Sequence, residues 1–354
     1  MKFPRVGVTH LIKRIEDLYL DEIYSAESIT LTTSSQPNSA PHVGTLLTFS
    51  YVFNIANYFK KKYAKKVNIV IDLLDNAPSQ RKVINGVEYQ YMLKQSNNGF
   101  NIFEVNREIY NNCLRVLSSF SAVDYKIRDY SDFCLNSNFY YALNEMLVEN
   151  IYFNKITNPG GRSVHIRAPC PECGIIEKDP SSSPVVLNED KEVKLSAICP
   201  MHGTHETIVK SSKPVFLDTG TAPRDIAKQY TLAKNSIDNG TLEIMIDGSD
   251  WAGNWFHDVI LPGYCKLGIS TKYIPKKIYT PVVITDNGLK LSKSIYMNKG
   301  YGSDIPPFLL DITKLDDLGM ESYLWTLYML TAQWVEMPER LFHALPINEI
   351  VSKL

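Results

Sequence analysis

The chain has 354 residues, with 37 basic and 38 acidic side chains for a formal charge of −1, and is 44% hydrophobic and 21% charged. This composition excludes a disordered or coiled-coil chain and suits a globular protein of two domains, or of one enlarged by insertions. The balanced charge argues against a protein that grips a long phosphate backbone, DNA above all, and no apolar run nears the ~18 residues of a membrane span.

In chain order, Ser28–Thr33 is a short β-rich run, and residues 34–41 are turn chemistry. From Val43, apolar residues recur at three- and four-residue steps (Leu46, Phe49, Val52, Phe53, Ala56, Phe59), which predicts a helix. It runs out in Lys60, Lys61, Lys62, Lys65 and Lys66, cations placed where the helix dipole is negative. Val67–Ile71 then reads as an apolar run suited to a buried parallel strand. Strand, loop, helix, strand is the unit of α/β folds, so a Rossmann-like, doubly wound parallel sheet is expected, with ligands at the carboxyl ends of its strands. Further helices are expected over Phe103–Phe120 and Asn138–Phe153, and strands over Leu242–Ile246 and Ile278–Ile284. A helical segment from about Pro307 to Trp334 closes the pattern.

Between Arg167 and Thr207 the pattern breaks into Cys, Pro, Gly, Ser and charge, which reads as a small insertion. The expected division is 1–160 and 213–300 for the two halves of the nucleotide-binding unit, 161–212 for the insertion and 301–354 for a helical C-terminal segment. Within the insertion, Cys170 and Cys173 precede Cys199 and His202 as two matched knuckles, each followed by a glycine (Gly174, Gly203). Four soft ligands in two pairs suit a closed, structural Zn²⁺ site, with His205 an alternative to His202. The remaining cysteines, Cys113, Cys134 and Cys265, are scattered, as in a protein of the reducing cytoplasm.

Two motifs speak to phosphate. Pro41-His42-Val43-Gly44-Thr45 stands between the first strand and the first long helix. There glycine admits close backbone approach, the helix N-terminus favours negative charge, and His42 can donate to a phosphate oxygen. Lys290-Leu291-Ser292-Lys293-Ser294 follows a strand at Val282–Thr285 and a turn at Asp286-Asn287-Gly288. Two lysines three apart, interleaved with hydroxyls, suit a leaving pyrophosphate whose charge grows during reaction. Either motif alone is as well read as a surface histidine or a solvated basic loop; together, in this order and context, they point to nucleotide chemistry.

The pair resembles the two signatures of class I aminoacyl-tRNA synthetases, the histidine-glycine motif and the lysine-serine loop, with one conservative change in the latter. The likeness is strongest to class I lysyl-tRNA synthetases. Ile71-Asp72-Leu73-Leu74-Asp75 with Arg81-Lys82-Val83, the helix from Phe139-Tyr140 to Ile156, the cysteine-bearing insertion and Gly248-Ser249-Asp250-Trp251-Ala252-Gly253 each resemble a segment of that family, from about residue 28 to 296. Thr45, Ser249 and Trp251 depart from it, and Met245 falls where it carries an acidic residue, with Glu243 and Asp247 nearby. After Ser294 only 60 residues remain (354 − 294), fewer than an anticodon-binding domain needs. A stem-contact remnant is expected there instead.

The resemblance implies a HUP-type fold and a ligase that turns ATP and an amino acid into an aminoacyl adenylate and pyrophosphate, with Mg²⁺ bridging phosphates. It implies His42, Lys290 and Lys293 as catalytic, and Pro41, His42, Gly44, Thr45, Asp250, Lys290, Ser292 and Lys293 as ATP-binding. Ser34, Asp72, Asp75 and Trp251 would meet the amino acid. Transfer to a tRNA acceptor stem is the first reading. A paralogue loading a non-tRNA acceptor and a non-catalytic regulator that binds amino acid, ATP or RNA are the others.

Overall fold

A computed structural model describes residues 15–95, 97–253, 255–291, 305–315 and 319–354, excepting the side chains of 15–19 and 97–100. Five strands form the central sheet: β1 (Ser28–Ser35), β2 (Lys66–Leu73), β5 (Tyr125–Asp129), β9 (Thr241–Gly248) and β10 (Lys276–Thr280). They are all parallel, in the order β10-β9-β1-β2-β5. The helices that matter most are α1 (Val43–Tyr63), α2 (Asn97–Ser121), α3 (Ser137–Val148), α4 (Asn150–Thr157), α5 (Thr221–Asn239) and α6 (Met320–Glu336). This is the α/β parallel sheet the sequence predicts.

Side chains alternate across a strand, so each strand shows one row to each side. One row is apolar: Ile29 and Leu31, Ile69 and Ile71, Ile244 and Ile246, and Ile278 all join the core formed with α1, α2 and α6. α6 is stitched to α1 by Asn54, whose Nδ2 donates to the Tyr328 carbonyl at 2.8 Å and to Thr331 Oγ1 at 2.9 Å. The opposite row is polar. It carries Thr30, Thr32 and Ser34, then Asn68 and Asp72, Lys126 and Arg128, Glu243 and Asp247, and Lys277. α5 lies over this side, reaching Ser34 and Asp72 with Lys228 and Glu243 with Asn235.

Several expectations change in detail. The run Val67–Ile71 is amphipathic rather than uniformly buried, because Asn68 and Val70 turn to the polar side. Asn138–Phe153 is two helices, α3 and α4, parted at Glu149 with ψ of 35°. Ile278–Ile284 breaks at Pro281, which has no N–H for a ladder, into β10 and a two-residue strand, Val283–Ile284. The closing helical stretch comes in three pieces, Pro307–Leu310, Ile312–Lys314 and α6.

A hairpin that the sequence reading missed, β3 (Pro78–Ile84) with β4 (Val87–Met92), follows β2. Asn85 and Gly86 turn it with φ of 51° and 78°, the left-handed pair that a two-residue hairpin requires. Among the described residues, no helix is long and apolar enough to cross a membrane.

Candidate nucleotide cleft and metal centre

From β1 the chain winds outwards through β2 to β5, while β9 and β10 lie on β1's other side. The connections that leave β1 and β9 therefore diverge and open a crevice beyond their carboxyl ends, the place where such sheets bind ligands. A cleft of about 340 Å³ lies there, lined among others by His42, Gly44, Thr45, Asp250, Trp251 and Lys290.

His42 is the N-cap of α1: its Nδ1 accepts from the Gly44 backbone N–H at 3.0 Å. The neutral ring that makes this bond carries its proton on Nε2, as a donor. A Cβ on Gly44 would stand 2.9 Å from His42 Cε1, so a side chain there would displace the imidazole folded over it. Thr45 lines the cleft from the first turn of α1, where the N-terminal amides favour an anion. Pro41 stands outside the lining, its carbonyl accepting from Ile312 N–H at 3.3 Å.

The opposite wall is the turn after β9. A Cβ on Gly248 would lie 2.5 Å from Asp250 Oδ1, so a side chain there would push the Asp250 carboxylate out of its place. Asp250 holds Lys290 Nζ at 2.6 Å, which ties the turn after β9 to the start of the lysine-serine segment. Trp251 is a wall of the cleft rather than core: it is 41% exposed and packs edge-on against Trp255 at 5.6 Å. His257 is exposed beside Asp258 and takes no part. Ser292 and Lys293 lie outside the described residues.

Ser34, at the end of β1, also lines the cleft. Beneath it is a buried ion cluster. Lys228 Nζ lies 2.7 Å from Ser34 Oγ and 2.5 Å from Asp72, and Arg128 Nε is 2.8 Å from the other Asp72 oxygen. Burial pushes the Asp72 carboxyl up, but Lys228 and Arg128 outweigh it and hold the group below its ordinary value. Asp75 is set apart: it accepts from Ser131 Oγ at 2.7 Å and pairs with Lys94 at 3.2 Å, with burial raising its pKa. Sequence reasoning missed Lys228 and Arg128. Arg128 stands two residues before the start of a helix in a β run, and Lys228 sits on α5, a helix that the sequence reading does not predict, so neither carries a motif.

In the insertion, β7 (Val193–Cys199) and β8 (Gly203–Val209) form a hairpin whose turn carries Cys199 and His202, and β6 (Ile176–Glu177) pairs with β4. The hairpin β3–β4 thereby buries Tyr89 against Cys170, Ile175 and Cys199. The ligand atoms of Cys170, Cys173, Cys199 and His202 all lie within 4.8 Å of one another. Cys173 Sγ is 3.6 Å from Cys199 Sγ, and His202 Nδ1 is 3.5 Å from Cys170 Sγ and from Cys199 Sγ. A tetrahedron of ~2.3 Å zinc–sulfur bonds has edges of roughly 3.8 Å, so this Cys₃His set fits a structural zinc ion. His205 turns away, its Nε2 3.4 Å from the Ala168 carbonyl oxygen.

No family model and no curated protein matches the sequence. Solved structures do. A glutamate-tRNA synthetase from Elizabethkingia anophelis is similar at 11% identity and a TM-score of 0.36, covering 78% of this chain and 54% of that one. A glutamate-tRNA ligase from Elizabethkingia meningosepticum gives 11%, 0.35, 78% and 54%. A protein described as an arginyl-tRNA synthetase from Campylobacter jejuni gives 12%, 0.32, 83% and 67%. The chain thus spans about half the length of the two glutamate enzymes. A likeness at this level carries no argument about function, which rests on the cleft.

Proposed function

We propose that the chain is an ATP-dependent, amino-acid-activating ligase of the class I aminoacyl-tRNA synthetase type. The observation that carries this is the meeting of His42, Gly44 and Thr45 with Lys290, 248 residues away in sequence (290 − 42), in one cleft beyond the strand ends. In this reading the ATP phosphates lie against the N-terminus of α1, with His42 Nε2–H and the Thr45 hydroxyl as donors. Lys290 exchanges Asp250 for the departing phosphates, assisted by Ser292 and Lys293. Asp250 is then released to meet a ribose hydroxyl or the substrate ammonium.

The amino-acid carboxylate attacks the α-phosphorus; the new O–P bond forms as the bond to the bridging oxygen breaks, and pyrophosphate leaves. Catalysis of this kind is positioning and charge stabilisation, with Mg²⁺ neutralising phosphate charge and the tRNA acceptor end as the next substrate. Lysine is the substrate the resemblance implies. Against it, Asp72 is already held between Lys228 and Arg128, so a lysine ammonium placed there would meet a net positive cluster.

The test is ATP–pyrophosphate exchange with each of the twenty amino acids singly, without tRNA and then with it. Exchange is expected with one amino acid. Lys290→Ala and Lys293→Ala should each slow it by about 10²-fold with little change in thermal stability. Silence under both conditions, or unchanged rates in both variants, would sink the proposal.

A further inference from the structure

The polar row of the sheet does not end at the nucleotide cleft. Towards the amino ends of β1, β2 and β5 it forms the floor of a separate cleft of about 780 Å³, lined among others by Thr30, Thr32, Asn68, Lys126, Arg128 and Glu243. The two clefts share no lining residue. A parallel sheet is normally covered on both faces by helices and apolar side chains. Here hydroxyls, amides and charges share an open groove with Val70, Tyr125 and Leu232.

Three polar atoms on residues that line this groove are buried and have no hydrogen-bond partner among the described residues: Thr32 Oγ1, Glu243 Oε2 and Arg128 Nη2. Thr32 is 0% and Glu243 1% exposed. Their neighbouring atoms are held firmly. Glu243 Oε1 accepts from Asn235 Nδ2. Arg128 donates through Nε to Asp72 at 2.8 Å and lies 4.0 Å over the Phe133 ring. Buried polar groups are nearly always partnered, and leaving one without a partner is destabilising. Three in one cleft, on fixed side chains, describe a site short of its ligand.

We propose that this cleft is a second binding site, and that it takes a small zwitterion of amino-acid to dipeptide size. Its oxyanion would accept from Arg128 Nη2, with Lys126 adding positive charge at the wall. Its ammonium or amide N–H would be shared by Glu243 Oε2 and Thr32 Oγ1. The orphaned groups are a cation, an anion and a hydroxyl, so a ligand bearing one charge of each sign satisfies all three, whereas inorganic phosphate or a nucleotide leaves the carboxyl of Glu243 facing more negative charge. The volume exceeds that of a free amino acid and lies within the range of small-molecule sites.

The experiment is calorimetric titration of the whole chain with glutamate, glutamine, lysine and glycylglycine singly, and with ATP as a control. At least one zwitterion should bind, with affinity weakened at least tenfold by Glu243→Gln and about threefold by Thr32→Val, while ATP affinity stays within twofold. Both substitutions nearly preserve shape, so folding is retained. No binding by any zwitterion overturns the proposal, as does binding indifferent to both substitutions, or binding of inorganic phosphate or AMP alone. Failure here leaves the exchange assay untouched, and failure there leaves this one.

Discussion

The two faces of the sheet are built from the same five strands and could hardly differ more. On the α1 side Ile29, Leu31, Ile69, Ile71, Ile244 and Ile246 are essentially inaccessible to water. Burying such side chains stabilises by about 1.5–3 kcal/mol each, so this face supplies the cohesion. On the α5 side the same strands present Asp72, Arg128, Glu243 and Asp247, and Lys228 and Lys277 answer two of those carboxylates. Buried ion pairs contribute little net stability, because desolvation offsets their attraction. One face is thus given to cohesion, and the other carries the polar groups on which both proposed sites draw. The nucleotide cleft and the groove below it lie at opposite ends of the same polar row.

The largest expected effect tests that division within one strand. Asp72→Ala leaves Lys228 and Arg128 buried without their shared carboxylate, which should cost about 3–5 kcal/mol. Its neighbour on the other face, Ile71→Ala, should cost about 2–5 kcal/mol from lost burial and a cavity. The two losses differ in how they can be repaired. Replacing the whole cluster (Asp72→Leu with Lys228→Met and Arg128→Met) should return stability to within about 1 kcal/mol of the parent, since apolar residues of like volume substitute well for buried ions. Urea unfolding of the four proteins measures this. A triple variant as unstable as Asp72→Ala would mean that the polar face is structural after all.

Much of this was legible in the sequence, and the reasons for the rest are physical. The alternation of one strand type with amphipathic helices announced the parallel sheet, and the paired Cys170/Cys173 and Cys199/His202 knuckles announced a cluster that the structure assembles. The same alternation also encoded the polar face: Ser28-Ile29-Thr30-Leu31-Thr32 and Thr241-Leu242-Glu243-Ile244 change character at every step. Val67–Ile71 by itself reads as one apolar run, because Asn68 alone does not disclose which neighbours its row will have. Lys228 and Arg128 stayed hidden for a related reason. Their meaning lies in a carboxylate 156 and 56 residues away (228 − 72 and 128 − 72); strand register brings Arg128 to it, and the packing of α5 on the sheet brings Lys228. The hairpin was different, since Asn85-Gly86 between β-rich runs was a turn signal in plain view.

The smallest effect is a dependence on pH, and it isolates the groove. Burial, only partly offset by Asn235 and by the charges of Arg128 and Lys228, pushes the Glu243 carboxyl from 4.5 up to about 7, and Asp72 adds to the rise. Below pH 4.5 the group is protonated in both folded and unfolded chains and contributes nothing. Between pH 4.5 and 7 the unfolded chain releases this proton while the folded chain keeps it, so stability falls as pH rises. Above pH 7 the penalty is complete, on the order of 3 kcal/mol. Glu243→Gln removes the titration. The variant should therefore match the parent near pH 4 and exceed it in thermal stability by pH 8, with the gap opening between those values. Other carboxylates raised by burial, such as Asp75, titrate alike in both proteins and cancel from the difference. A gap that stays flat from pH 4 to 8 would mean that Glu243 is solvated or fully paired, and the groove would then lose the orphaned carboxyl on which its ligand depends.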